Sequence, residues 1–236
     1  MRDTDITRPA QEVIDGFREL LRHYESVTCA ISDSMDRFNA MTADMKPLFD
    51  GIRFAGTAVT VKTLSSDLAA VIKAIDVCLP GDVIVIDTIG CINTAFWGEN
   101  MTMSALNQGV VGTVIDGSCR DVEEIRKLKF PVLCKGIVPN AGSVSGYGQI
   151  NVPVQCAGVP VNPGDLIVVD CNGVVVVPQK TAAEILHKTT ALLATEHIIQ
   201  EQIKAGTTIG KLLNIDEVFQ NTFSYQNRAV KNKNKS

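Results

Sequence analysis

The chain has 236 residues and carries 22 basic against 26 acidic side chains, a formal net charge of −4. That length supports one large domain, and domains of this size bury roughly 70–75% of their unfolded surface. The acidic balance gives a polyanion no general reason to bind, the seven cysteines lack a Cys-x-x-Cys pair and fit a reducing cytosol, and no apolar run reaches the ~18 residues of a membrane helix, so a soluble cytoplasmic protein that binds neither nucleic acid nor membrane is expected.

Residues 11–23, QEVIDGFRELLRH, have the spacing of an amphipathic helix with Val13, Phe17, Leu20 and Leu21 on one face. FAGTAVTVKTL reads as a strand, and DLAAVIKAIDVCL as a helix capped by Ser66 or Asp67. PGDVIVIDTIG is a turn followed by an apolar strand, and the arrangement returns as PGDLIVVDCNG at 163–173. Between these pieces the pattern predicts a helix at about 99–108, a strand at 111–115, a turn at Asp116-Gly117, a helix at 121–128 and a strand at 132–137. Gly-, Val- and Pro-rich β segments follow to Pro178, then a long helix from about 181 to 205 and a short one near 216–219. Alternation first and consecutive strands afterwards give a mixed α/β layered domain over residues 1–220. Residues 221–236 form a basic tail, with Arg228, Lys231, Lys233 and Lys235 and no acid among them, that lacks apolar periodicity and reads as disordered.

The three histidines, His23, His187 and His197, fall on predicted helices away from glycine-rich turns, so neither a zinc site nor a histidine-based triad is supported. What remains is carboxylate, arginine and backbone-amide chemistry. GTVIDGSCRDVEEI, 112–125, puts Arg120 and Asp121 at a strand-to-helix corner, the side of an α/β layer where ligands usually bind. Asp121 could serve as N-cap, with Glu124 completing a capping box, or could present an oxygen to a site. FWGENMTMSALNQG, 96–109, starts a second helix near Glu99, so the amides of Asn100 and Met101 are first-turn donors without intrahelical partners. Such a terminus attracts carboxylates, although Glu99 could equally just complement the helix dipole. Two such starts converging on one crevice imply a small anionic ligand and a hard cation held by an Asp oxygen. Lys135, in VLCKGIV, is the best candidate for a Schiff-base alternative, which requires a desolvated lysine.

WGENMTMSALNQGVVGTVIDGSCRDVEEIRKLKFPV and GQINVPVQCAGVPVNPGDLIVVDCNGVVVVP resemble the RraA-like family, over about residues 25–205. That family includes 4-hydroxy-4-methyl-2-oxoglutarate aldolases and the regulator of ribonuclease E activity A. The resemblance implies an α/β fold, a layered swivelling β/β/α-type domain, with helical N- and C-terminal segments, assembled as a homotrimer or homohexamer with sites at subunit interfaces. It implies a lyase using Mg2+ or Mn2+, a class II pyruvate aldolase acting on a small 2-oxo acid, with oxaloacetate decarboxylase side activity. By motif position Asp121 matches the metal ligand, Arg120 the residue holding pyruvate and its enolate, Asn100 and Met101 the amides receiving the carboxylate, and Glu99 an acid orienting metal-bound water. In the long helix, Ile185, Leu192, Ile199 and Ile203 form an apolar stripe that also contains Glu196. This acid either snorkels at the stripe's edge or, as the resemblance implies, reaches a neighbouring subunit's site. The same resemblance admits a non-catalytic alternative, a regulator that binds a ribonuclease.

Overall fold

The computed structural model describes residues 6–64 and 66–222. The basic tail expected at 221–236 lies, from residue 223 onward, outside the described residues. Two N-terminal helices, α1 (Gln11–His23) and α2 (Val27–Ser34), precede a short strand β1 (Lys46–Pro47). A parallel run then alternates strand and helix: β2 (Phe54–Lys62), α3 (Ala69–Val77), β3 (Asp82–Asp87), α4 (Glu99–Asn107), β4 (Gly112–Cys119), α5 (Val122–Leu128) and β5 (Val132–Ile137). The β-rich half supplies β6 (Gln149–Ile150), β7 (Val154–Cys156), β8 (Val159–Val161), β9 (Leu166–Asp170) and β10 (Gly173–Val177). A 3-10 turn (Gln179–Thr181) leads into the long helix α6 (Ala182–Lys204), followed by the short α7 (Ile209–Leu212).

The main sheet has the order β1-β5-β4-β3-β2-β9-β10, with β6 also on β2. Strands β2 to β5 pair in parallel, while β9 and β10 are antiparallel. Residues 39–47 touch both ends of this order: Ala40 bridges Val175 of β10, and Lys46 pairs with Cys134 of β5. One stretch of chain thus nearly closes the sheet into a barrel. The helices and the sheet form the layered α/β domain that the sequence predicts.

The strands are buried on both faces, which is why they read as near-continuous apolar runs. Along β3, Ile84 and Ile86 join the core that includes Val71, Ala74 and Ile75 of α3 and Ile125 of α5. The alternate residues Val83 and Val85 join a second core containing Val154, Val159 and Val161 of the β7–β8 hairpin. The two echoed PGD segments flank β2 on opposite sides, as β3 and β9. Their aspartates do the same work: Asp82 Oδ2 accepts the Leu79 amide and Asp165 Oδ2 the Asn162 amide, each at 2.8 Å. The echo is therefore a shared turn that starts a strand.

Some expectations change in detail. Ile14 replaces Val13 on the buried face of α1, with Phe17, Leu20 and Leu21 as expected. Asp116-Gly117 is no turn, because β4 continues through it with an irregularity in register between Ile115 and Ser118. Glycine is needed there for close approach, since a Cβ at Gly117 would stand 2.8 Å from the Thr88 side chain. The chain divides into two compact units within α6, Met1–Thr190 and Ala191–Ser236.

Candidate active site

The crevice lies at the C-terminal ends of the parallel strands, where the loops after β2, β3, β4 and β5 meet. Residues 95–97 run beside the end of β4: Phe96 N–H donates to Ser118 O at 2.8 Å, and Arg120 N–H to Trp97 O at 2.9 Å. On its other side this segment is tied to the loop after β5, through the Ala95 amide and Asn140 O at 2.9 Å. The pairing carries Gly98 and the start of α4 directly to the Arg120-Asp121 corner. Gly98 has extended backbone, which any residue adopts; what excludes a side chain is space, because a Cβ would sit 2.5 Å from Asp121 Oδ2.

Asp121 occupies the N-cap position of α5 but its side chain makes no capping bond there, so the capping box with Glu124 does not form. Its backbone is left-handed, at φ 56°, a conformation that aspartate tolerates better than most residues. Its carboxylate serves the other helix instead: Oδ2 accepts the Glu99 amide, the first of α4, at 3.0 Å. The Arg120 Nε lies 3.6 Å from the same oxygen. Oδ1 has no hydrogen-bond or ion-pair partner among the described residues.

Helix α4 then has a precise remainder. The Glu99 amide is taken by Asp121, and the Thr102 amide returns to Gly98 O at 3.0 Å. The amides of Asn100 and Met101, between them, have no acceptor among the described residues, and unfilled first-turn amides are an anion site. The cleft they open into has a volume of about 180 Å3. Its lining combines polar residues, Asn100, Arg120 and Asp121, with apolar ones, Leu68, Ile72, Ala95, Met101 and Ala141, and Trp97 and Gly98 complete it. Trp97 is held by stacking on Phe130 at 5.9 Å between centroids and by its Nε1–H bond to Thr102 Oγ1 at 2.8 Å.

The structure thus brings Asn100, Met101, Arg120 and Asp121 to one cleft. Glu99 reaches it by its amide, and its side chain is not among those lining the cleft. Glu196 lies on α6 in the second unit and is half-buried. The buried face of α6 carries Ala182, Ile185, Thr189 and Leu193, so the stripe expected through Leu192 and Ile203 drifts; Leu192 is half-buried and Ile203 exposed. Sequence reasoning missed Trp97 and the apolar lining. Trp97, the sole tryptophan, stood beside the motif and could have been found; Leu68, Ile72 and Ala141 come from other loops and gave no local signal.

Lys135 is differently employed. It pairs with Asp116 Oδ1 at 2.8 Å and Asp44 Oδ2 at 3.3 Å. Burial pulls its ammonium down, but the two carboxylates outweigh burial and hold it above the ordinary lysine range. A Schiff-base lysine requires the opposite shift. Among the thiols, burial pushes Cys78 up to about 12, and no disulfide occurs among the described residues.

No group of three or more His, Cys, Asp or Glu among the described residues could hold a metal ion. A hard cation such as Mg2+ keeps several waters and needs only one or two carboxylates plus substrate oxygens. Asp121, with Oδ1 uncommitted beside the anion-binding amides, fits that requirement.

Residues 28–176 match the family model described as RraA-like, Aldolase/RraA. A Halalkalibacterium halodurans protein provisionally named a 4-hydroxy-4-methyl-2-oxoglutarate aldolase is 42% identical over 161 residues, covering 68% of this chain and 77% of that protein. An uncharacterized Pseudomonas syringae protein of known structure superposes with a TM-score of 0.73 at 32% identity, over 87% of this chain and 98% of its own. The RNA-processing inhibitor RraA of Thermus thermophilus superposes with a TM-score of 0.61 at 30% identity, over 66% of this chain and 94% of that structure. The family match over residues 28–176 and the relatives at these identities show the family: the chain belongs to the RraA-like family.

Proposed function

We propose that the chain is a divalent-metal-dependent class II pyruvate aldolase that cleaves a 4-hydroxy-2-oxo acid such as 4-hydroxy-4-methyl-2-oxoglutarate, and that it decarboxylates oxaloacetate through the same enolate. The observation that carries this reading is the convergence of the Asn100 and Met101 amides, the Arg120 guanidinium and the Asp121 carboxylate on one cleft. The amides receive the carboxylate next to the keto group. Asp121 would hold the cation, its Oδ2 being fixed by the Glu99 amide. When bound, Mg2+ or Mn2+ supplies Lewis acidity at the keto oxygen.

Cleavage removes the C4 hydroxyl proton and breaks the C3–C4 bond; C4 leaves as a carbonyl, and the electron pair becomes the pyruvate enolate. A proton at C3 then completes pyruvate. Arg120 meets the charge that develops on the enolate oxygen, where a preorganised donor is most effective. The family resemblance assigns Glu99, whose side chain lies outside the cleft lining of this chain alone, to orienting water beside Asp121, and Glu196 to reaching such a water in a neighbouring subunit of a trimer or hexamer. With oxaloacetate, carbon dioxide leaves in place of the carbonyl product.

The test is pyruvate release from 4-hydroxy-4-methyl-2-oxoglutarate with added Mg2+ or Mn2+, followed by treatment with borohydride and pyruvate. The reading expects metal-dependent turnover and no trapped adduct; a borohydride adduct on Lys135 would replace it with the Schiff-base mechanism. The resemblance to an RNA-processing inhibitor supports a second reading, a regulator that binds a ribonuclease. Absence of turnover together with inhibition of a purified ribonuclease would favour it.

A further inference from the structure

The peptide group between Gly98 and Glu99 is held at both ends. Its N–H, that of Glu99, donates to Asp121 Oδ2 at 3.0 Å. Its carbonyl, that of Gly98, accepts twice from Thr102, from the amide at 3.0 Å and from the Oγ1 hydroxyl at 3.0 Å. The amide bond is the ordinary one of a helical turn; the hydroxyl bond is an addition, and a third residue fixes its direction. Trp97 Nε1 lies 2.8 Å from the same hydroxyl oxygen. An indole N–H only donates, so Thr102 Oγ1 accepts there and keeps its one proton for Gly98 O. Thr102 and Trp97 are both fully buried, and the Trp97 carbonyl in turn accepts the Arg120 amide at 2.9 Å.

The bonds therefore run head to tail in one direction: Trp97 Nε1–H to Thr102 Oγ1, Thr102 O–H to Gly98 O, and Glu99 N–H to the Asp121 carboxylate. Bonds aligned in this way polarise one another, the more so where solvent is excluded. A planar peptide group also turns its N–H whenever its carbonyl is turned. We propose that Thr102 is a positioning residue: its hydroxyl, oriented by Trp97, aims the Glu99 amide at Asp121 Oδ2 and so sets how the Asp121 carboxylate is presented to a cation in the cleft. This step rests on the aldolase reading for the cation. Thr102 itself does not line the cleft and acts only through the peptide group and Asp121.

The experiment measures the Kd for Mn2+, from the electron paramagnetic resonance signal of the free ion, on full-length protein with pyruvate present. Thr102→Val removes the hydroxyl at nearly constant volume, and Thr102→Ser keeps the hydroxyl without the methyl group. The valine variant is expected to bind Mn2+ more weakly on the order of tenfold, the usual loss when a partner that orients a metal ligand is removed, and the serine variant to stay near the unmodified protein. A role in packing alone reverses this order, because serine leaves the larger void. Valine also strands the buried Trp97 N–H, which costs stability, so Trp97→Phe with Thr102→Val, in which no donor is stranded, is measured against Trp97→Phe alone; the pair is again expected to bind Mn2+ more weakly. Mn2+ held as tightly without the hydroxyl as with it, in both comparisons, overturns this inference and leaves the aldolase intact. Unmodified protein that binds no Mn2+ overturns both.

Discussion

At the residue scale, the proposed mechanism asks one carboxylate to perform two tasks. Asp121 Oδ2 accepts the first amide of α4, and the proposal gives Oδ1 to a cation. Asp121→Asn keeps an oxygen for the Glu99 amide but removes the charge. Metal binding and turnover should fall steeply, while thermal stability changes by about 1 kcal/mol or less, the scale of a helix cap; titration of Mn2+ beside thermal unfolding separates the two effects. Arg120 offers a sharper chemical test. Arg120→Ala should lower kcat on the order of a hundredfold to a thousandfold, the usual loss for one donor at a developing oxyanion. Arg120→Lys should be nearly as poor, because an ammonium cannot replace a planar fork. Near-native steady-state kinetics in the lysine variant would remove Arg120 from the mechanism. Gly98→Ala places a Cβ against Asp121 Oδ2. Since that oxygen ends a side chain that can swing away, the expected result is a large loss of activity with a small shift in Tm.

At the element scale, Asp67 joins the start of α3 to the loop after β5 by accepting the Ala69, Ser145 and Tyr147 amides. Its folded pKa lies below the ordinary 3.8. The stability it contributes is therefore present in full above that ordinary value and lost as pH falls through the depressed folded value. Hydrogen exchange should find the Ser145 and Tyr147 amides protected at neutral pH and released only as pH falls below the ordinary 3.8, and Asp67→Asn should weaken that protection already at neutral pH. Unchanged exchange in the variant would show that the carboxylate does not hold this loop. Elements of this kind were unevenly legible in the sequence. Local periodicity located α1, α4, α5 and β5 to within a residue or so, because each carries its own apolar pattern. The role of Asp121 could not be read that way: Asp followed by Glu124 satisfies a capping box on paper, and only the pairing of residues 95–97 beside β4 brings a second helix start within its reach. The apolar lining of the cleft was equally hidden, since Leu68 and Ala141 are brought to it only by the fold.

At the scale of the whole molecule, the parallel run from β2 to β5 gathers four loops at one end of the sheet, and the polar residues that meet in the cleft were legible because two of those loops carry them in short motifs. The near-closure through residues 39–47 was not, since two separate bridges made by one stretch leave no periodic trace. If Glu196 serves a neighbouring subunit, Glu196→Gln oligomers should be weakly active, and mixing them with inactive Arg120→Ala subunits should restore part of the activity. Hybrids no more active than either parent, with mixing confirmed by mass, would refute a shared site. The central claim, cation-assisted enolate formation in the cleft of Asp121, is tested most directly by the rate of pyruvate release from oxaloacetate by protein stripped with a chelator, measured before and after Mg2+ is restored and corrected for the reaction without protein. The account predicts release near the uncatalysed rate in the stripped protein and recovery with Mg2+; full turnover by the stripped protein would contradict it.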